Sequence, residues 1–186
     1  MSESNSNPKK DSSDFLWKVL GRFDFYINTT NAKAALLVAY NSFVVSGILL
    51  KWKDISPSFA FHPTLSIISA ILLFLIAIFS IISLIFTFRT TSPYLTSYGQ
   101  DKSQRSKIFF KDVSKFETAD NYYDAIKSSQ PEYFFEDLAK QVHVLARGVD
   151  SKFSDMKKAI DSILFLQVPT LVAVLLVFLI TKTIDI

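Results

Sequence analysis

Residues 65–88 read LSIISAILLFLIAIFSIISLIFTF, a run of 24 residues without a charge, a proline or a glycine. At 1.5 Å of rise per residue it covers the roughly 30 Å hydrocarbon layer of a bilayer, and it is too long and too apolar for a soluble core helix. Backbone in lipid must satisfy its own N–H and C=O groups, so the run predicts a spanning helix over 64–89. Two further runs read the same way: 34–50, fenced by Lys33 and Lys51, and 163–180, fenced by Asp161 and Lys182. The expected fold is an all-α membrane protein with three transmembrane helices.

Composition excludes several kinds of chemistry. The stretch 89–158, at 70 residues, is close to the lower limit for an independent domain, so a separate soluble enzyme domain is not expected. The chain has no cysteine and only two histidines, His62 and His143, which leaves no disulfide, no thiolate and no sulfur-held zinc. Its four glycines, at positions 21, 47, 99 and 148, never cluster, so neither a P-loop nor a dinucleotide fingerprint is present. His143 lacks an HExxH partner or a carboxylate pair and reads as a structural or surface residue. The expectation is a protein that is not an enzyme, with no catalytic residue, metal site or cofactor.

Orientation follows from Lys and Arg near the span ends. Lys18, Arg22 and Lys33 precede the first span, and Arg89, Lys102, Arg105 and Lys107 follow the second, whereas the loop between them holds only Lys51 and Lys53. This places the N-terminus and residues 89–158 in the cytoplasm and the C-terminus outside. Lys157 and Lys158 agree; Lys182 dissents.

Along the chain, the polar residues 1–12 read as a disordered tail rather than a secretory signal. Ser13 or Asp14 can cap a helix whose apolar positions Leu16, Leu20, Phe23 and Ile27 share one face, giving an amphipathic helix and first span over 13–51. That face fits two roles, an interfacial anchor using Trp17 and Tyr26 or packing against the cytoplasmic region. Residues 90–130 are expected as a cytoplasmic loop region, with 107–116 (KIFFKDVSKF) extended and a short helix from Thr118 to about Lys127. Ser129, Gln130, Pro131 and Glu132 form a capping box. From there apolar residues at Phe134, Leu138, Val142, Leu145, Val149, Phe153, Met156, Ile160 and Ile163 recur at steps of three or four. They predict one helix over 131–182, about 75 Å long and bent at Pro169, which joins the third span. Its wet apolar stripe needs neighbours, and a homo-oligomeric bundle, for instance a tetramer, supplies them.

Within the second span Ser66, Ser69, Leu73, Ile76, Ser80, Ser83 and Thr87 fall on one seam. Small hydroxyl residues on one face suit close helix packing; in a symmetric oligomer the same Ser66, Ser69, Ser80, Ser83 and Thr87 would line a pore, as would Asn41, Ser42 and Ser46 of the first span. No acid or base lies inside a span, so only passive leakage is chemically supported.

Three segments carry a resemblance: TTNAKAALLVAYNS at 29–42, KIFFKDVSKF at 107–116 and YFFEDLAKQVHVLARGVDSKF at 133–153. In order and spacing the chain resembles the Pycsar transmembrane effector family of bacterial antiphage defence over nearly all of 28–182. The resemblance implies a membrane effector that responds to a nucleotide made by a partner cyclase and compromises the inner membrane, so that the cell stops growing or dies. Many relatives carry an appended sensor domain, and none is expected here. That makes it similar to the compact membrane effectors of Hailong systems, implying control by a short DNA oligomer from a nucleotidyltransferase.

The residues are compatible with such a ligand. Lys102, Arg105, Lys107 and Lys111 flank Phe109 and Phe110, giving cations for phosphates beside rings on which bases stack, each stack worth roughly 1–3 kcal/mol. Arg147, Lys152 and Lys33 are further nucleotide-binding candidates. Against this, 89–158 carries twelve Lys or Arg and ten Asp or Glu, a net charge of only +2, so positive-inside cations and a packed Phe109 and Phe110 explain the pattern equally well. Two rival functions stand beside the effector: a membrane anchor recruiting a soluble partner, and a ligand-independent, holin-like toxin.

Overall fold

The computed structural model describes residues 8–60, 63–94 and 105–184, with 8–10 and 51–60 described by their backbone alone. Every described element is helical: α1 Pro8–Ala60, α2 Pro63–Thr91, α3 Phe110–Val113, α4 Ala119–Lys127, α5 Pro131–Ser162, a π-helical turn Ile163–Gln167 and α6 Val168–Ile184. Three helices, α1, α2 and the α5 to α6 run, are long and apolar enough to cross a membrane. The protein is an all-α membrane protein, as its apolar runs require.

Helix boundaries differ from expectation at both ends of α1. It begins at Pro8, not at 13, because proline's fixed φ and missing N–H suit a first helical turn, where Asp11 also complements the dipole. Residues 1–7 of the expected tail lie outside the described residues. At the other end α1 runs to Ala60 rather than stopping at 51. Hydropathy marks where lipid ends, not where backbone hydrogen bonding ends. Pro169 does not simply kink the third span. Its missing N–H and the clash of its ring one turn back are absorbed by the π turn just before it, where Val168 donates to the Ile163 carbonyl five residues away.

The chain divides into two compact units: residues up to Asn28 with Pro93–Ser151, and Thr29–Ser92 with Lys152 onward. Both α1 and α5 contribute residues to each unit. The second is the spanning unit, and its interior reverses the soluble pattern. Thr30, Asn41, Ser69, Ser80, Ser83, Thr87, Gln167 and Thr181 are buried, while Leu36, Phe43, Leu49, Phe74 and Phe165 are exposed. Small and hydroxyl-bearing residues let the helices approach closely, and lipid solvates the large side chains. Asn41 Nδ2 donates to Ser83 Oγ at 3.1 Å and Gln167 Nε2 to Ser80 Oγ at 2.8 Å, so α1 and the π turn both tie to α2. Of the two roles read for the seam, close packing and a pore lining, the structure shows packing: Ser69, Ser80, Ser83 and Thr87 are buried within a single chain, with Ser66 at the half-buried margin.

In the first unit the apolar face of α1 is half-buried at Leu16, Leu20, Phe23 and Ile27, so it packs in part within that unit, while Trp17 is exposed. Residues 107–116 are not extended throughout. Phe109 has extended backbone, and α3 follows in a single turn. Helix α4 is capped by Thr118, whose Oγ1 accepts from the Asn121 N–H at 3.1 Å. Helix α5 begins at Pro131 as expected. Ser129 Oγ donates to the Ala125 carbonyl at 2.7 Å, closing α4.

Candidate functional site

The segment from Arg105 to Phe110 is fixed by an unusual density of side-chain bonds to its backbone. Tyr133 Oη donates to the Arg105 carbonyl at 2.6 Å and Tyr122 Oη to the Lys107 carbonyl at 2.8 Å. Asp137, fully buried, accepts from the Lys107 N–H at 2.8 Å. Ser106 Oγ accepts from the N–H groups of both Ile108 and Phe109, and buried Asp112 accepts from the Ser106 N–H at 3.4 Å and from Lys115 Nζ at 2.7 Å. These bonds satisfy backbone groups that no helix serves, and they hold Phe109 and Phe110 in one presentation. The two rings lie 4.9 Å apart and inclined by 59°.

Phe109 and Phe110 open onto a cavity of about 260 Å³ whose other described walls are Leu20, Tyr94, Ile108, Gln141, Val144 and Leu145. Gln141 is only 8% exposed, and its Nε2 has no acceptor among the described residues. Tyr94 owes its place to Gly148: a Cβ there would sit 2.7 Å from the ring's Cδ1. Glycine in mid-helix normally costs stability, and here it makes room for an aromatic wall.

The nucleotide-binding residues expected from sequence divide sharply. Arg105 is half-buried, Arg147 and Lys111 are exposed, and Phe109 and Phe110 share the cavity, with Phe110 63% exposed. Lys107, expected as a phosphate ligand, is a structural tie in this structure. Its ammonium donates to the Ala125 carbonyl at 2.7 Å and to Ser129 Oγ, and lies 4.5 Å above the Tyr133 ring. A cation there neutralises the carbonyl end of α4. Lys152 is likewise engaged within the chain. It is 7% exposed, belongs to the spanning unit, and donates to the Thr90 and Ser92 carbonyls at the end of α2. Burial holds its ammonium below the usual lysine range. Lys33 is exposed in the spanning unit, and Lys102 lies outside the described residues.

A family model described as the Pycsar effector protein domain matches residues 15–180. The chain belongs to the PycTM family. It is 26% identical over 153 residues to the Pycsar effector protein EcPycTM of Escherichia coli, covering 82% of this chain and 83% of that protein. No solved structure matches it. As a Pycsar effector it is a multi-pass membrane protein of antiphage defence.

In this PycTM-family chain the matched stretch contains both the clamped loop and the cavity. Sequence reasoning missed Tyr94, Gln141, Gly148 and the two buried carboxylates Asp112 and Asp137. One signal was available: Gln141 stands three residues after Leu138 and four before Leu145, a polar residue on an apolar helix face. Tyr94 carried none, because its neighbour Gly148 is distant in sequence. At the end of α2, Arg89 and Lys158 flank buried Asp155 at 3.4 and 3.5 Å, and both cations lie beside the Phe86 ring. Charges gather where the apolar run stops, as at a lipid boundary.

Proposed function

We propose that this Pycsar effector is a homo-oligomeric, non-enzymatic protein of the bacterial inner membrane whose leak is set by a nucleotide or short oligonucleotide. A partner cyclase or nucleotidyltransferase supplies that signal on infection, and loss of membrane integrity then arrests or kills the cell. The N-terminus and 89–158 face the cytoplasm, as the distribution of Lys and Arg directs. The observation that carries the reading is that α1 and α5 each supply residues both to the unit holding the cavity and to the unit holding the spans. A change of state at the cavity therefore has continuous backbone through which to act.

A ligand biases such an equilibrium only by binding one state better, and each tenfold preference corresponds to about 1.4 kcal/mol. With the Ser69 to Thr87 seam occupied inside one chain, the polar face left for an axial lining is that of Ser42 and Ser46, which are exposed on α1. That face supports an assembly of several chains around a shared axis. Reconstitution in dye-loaded liposomes tests the reading. Release that changes on adding nucleotides supports the effector, whereas unconditional release would mark a toxin and no release an anchor.

A further inference from the structure

We infer that the cavity beside Gln141 is a nucleobase subsite, in which the Gln141 amide donates to an acceptor on the base edge while Tyr94, Phe109 and Phe110 supply aromatic walls. The inference rests on the nucleotide-controlled reading above and names the part of the ligand that the extramembrane unit recognises. Three observations point to it. The first is size. At about 260 Å³ the cavity is smaller than the roughly 300–1,000 Å³ of pockets that enclose drug-sized ligands, so it admits one ring system and leaves a sugar and phosphate outside.

The second is the lining. Apart from Gln141 the walls are aliphatic or aromatic, and the Phe109 and Phe110 rings are inclined at 59°, so a flat group stacks on one and meets the edge of the other. The third is the amide. A buried Nε2 without an acceptor among the described residues is costly in an apolar wall, where leucine or methionine would carry no such penalty. An acyl chain or an aliphatic side chain would leave the amide unpaired. A nucleobase brings both a stacking face and in-plane acceptors. The clamps on residues 105–110 hold the two phenylalanine rings ready before the ligand arrives, which lowers the ordering cost of binding. Exposed Lys111 and Arg147 lie on the elements that supply Phe110, Val144 and Leu145, and they are the cations offered to the phosphate left outside.

The test uses full-length protein in lipid nanodiscs, with equilibrium dialysis of radiolabelled cyclic CMP, UMP, AMP and GMP and of a short oligodeoxyadenylate. The same protein is placed in dye-loaded liposomes with each probe. At least one probe is expected to bind, and Gln141→Leu should weaken that probe roughly tenfold or more, since a lost hydrogen bond in a dry site is worth about that factor. Phe109→Leu, which keeps an apolar wall but removes the aromatic face, should weaken it severalfold. Circular dichroism checks that both variants retain wild-type helicity, and two variants at separate positions keep the test open if one does not fold. Ribose 5-phosphate, which lacks a base, should not compete. Binding and dye response within twofold of wild type in both variants, or full competition by ribose 5-phosphate, would overturn the subsite while leaving nucleotide control standing. Absence of any binding or response to every probe would overturn nucleotide control itself, and the subsite with it.

Discussion

Gly148→Ala is expected to have opposite effects on stability depending on what stands at position 94. A methyl carbon on Gly148 would lie 2.7 Å from Tyr94 Cδ1, 2.8 Å from Cγ and 3.2 Å from Cβ. Carbon atoms pack at about 3.5–4.0 Å, so the ring must retreat by about 1 Å, and at its base rather than at its free tip. Such overpacking costs about 1–3 kcal/mol, while replacing glycine by alanine inside a helix gains about 1 kcal/mol. In the wild-type background the balance is a loss of up to about 2 kcal/mol. With Tyr94→Ala the 2.7 and 2.8 Å ring contacts are gone and only the 3.2 Å contact with Cβ remains, which a movement of a few tenths of an ångström relieves, so the same substitution should stabilise by up to about 1 kcal/mol. Denaturant unfolding in mild detergent of wild type, the two single variants and the double variant measures the coupling directly, expected at about 1–3 kcal/mol. Equal stabilisation by Gly148→Ala in both backgrounds would refute the account of why this helix keeps a glycine.

Ser80→Leu should destabilise the folded chain by about 1–3 kcal/mol in the same assay, because Ser80 is buried against Gln167; a changed conductance with unchanged stability would restore the pore-lining reading. Lys107→Met should lower stability by about 1–2 kcal/mol through the lost ties to Ala125 and Ser129, and nucleotide response lost with no stability change would mark a phosphate ligand instead. Lys152 predicts a pH dependence. Its folded-state pKa is depressed, so above that pKa the unfolded chain binds more protons, and stability rises with pH until the ordinary lysine value near 10.4 is passed. Thermal melts from pH 8 to 10.5 should therefore show wild type gaining on Lys152→Met as pH rises, and the opposite trend would contradict a desolvated ammonium.

The sequence by itself determined the membrane class, the number of spans and the start of the long helix at Pro131, because lipid imposes a length of apolar residues and proline a place in the first turn. Periodicity also placed Leu16, Leu20, Phe23 and Ile27 on one face. It could not decide what those faces meet. A hydroxyl seam in lipid looks the same in one-dimensional sequence whether it lines water or packs on another helix, and only the ties of Ser83 to Asn41 and of Ser80 to Gln167 chose packing. Likewise a lysine beside two phenylalanines reads as a phosphate ligand until its ammonium is found closing α4, 18 residues away from its partner Ala125. Tertiary structure alone brought Tyr94, Phe109 and Gln141 around one cavity, since contacts between such distant positions leave no periodic trace in the chain.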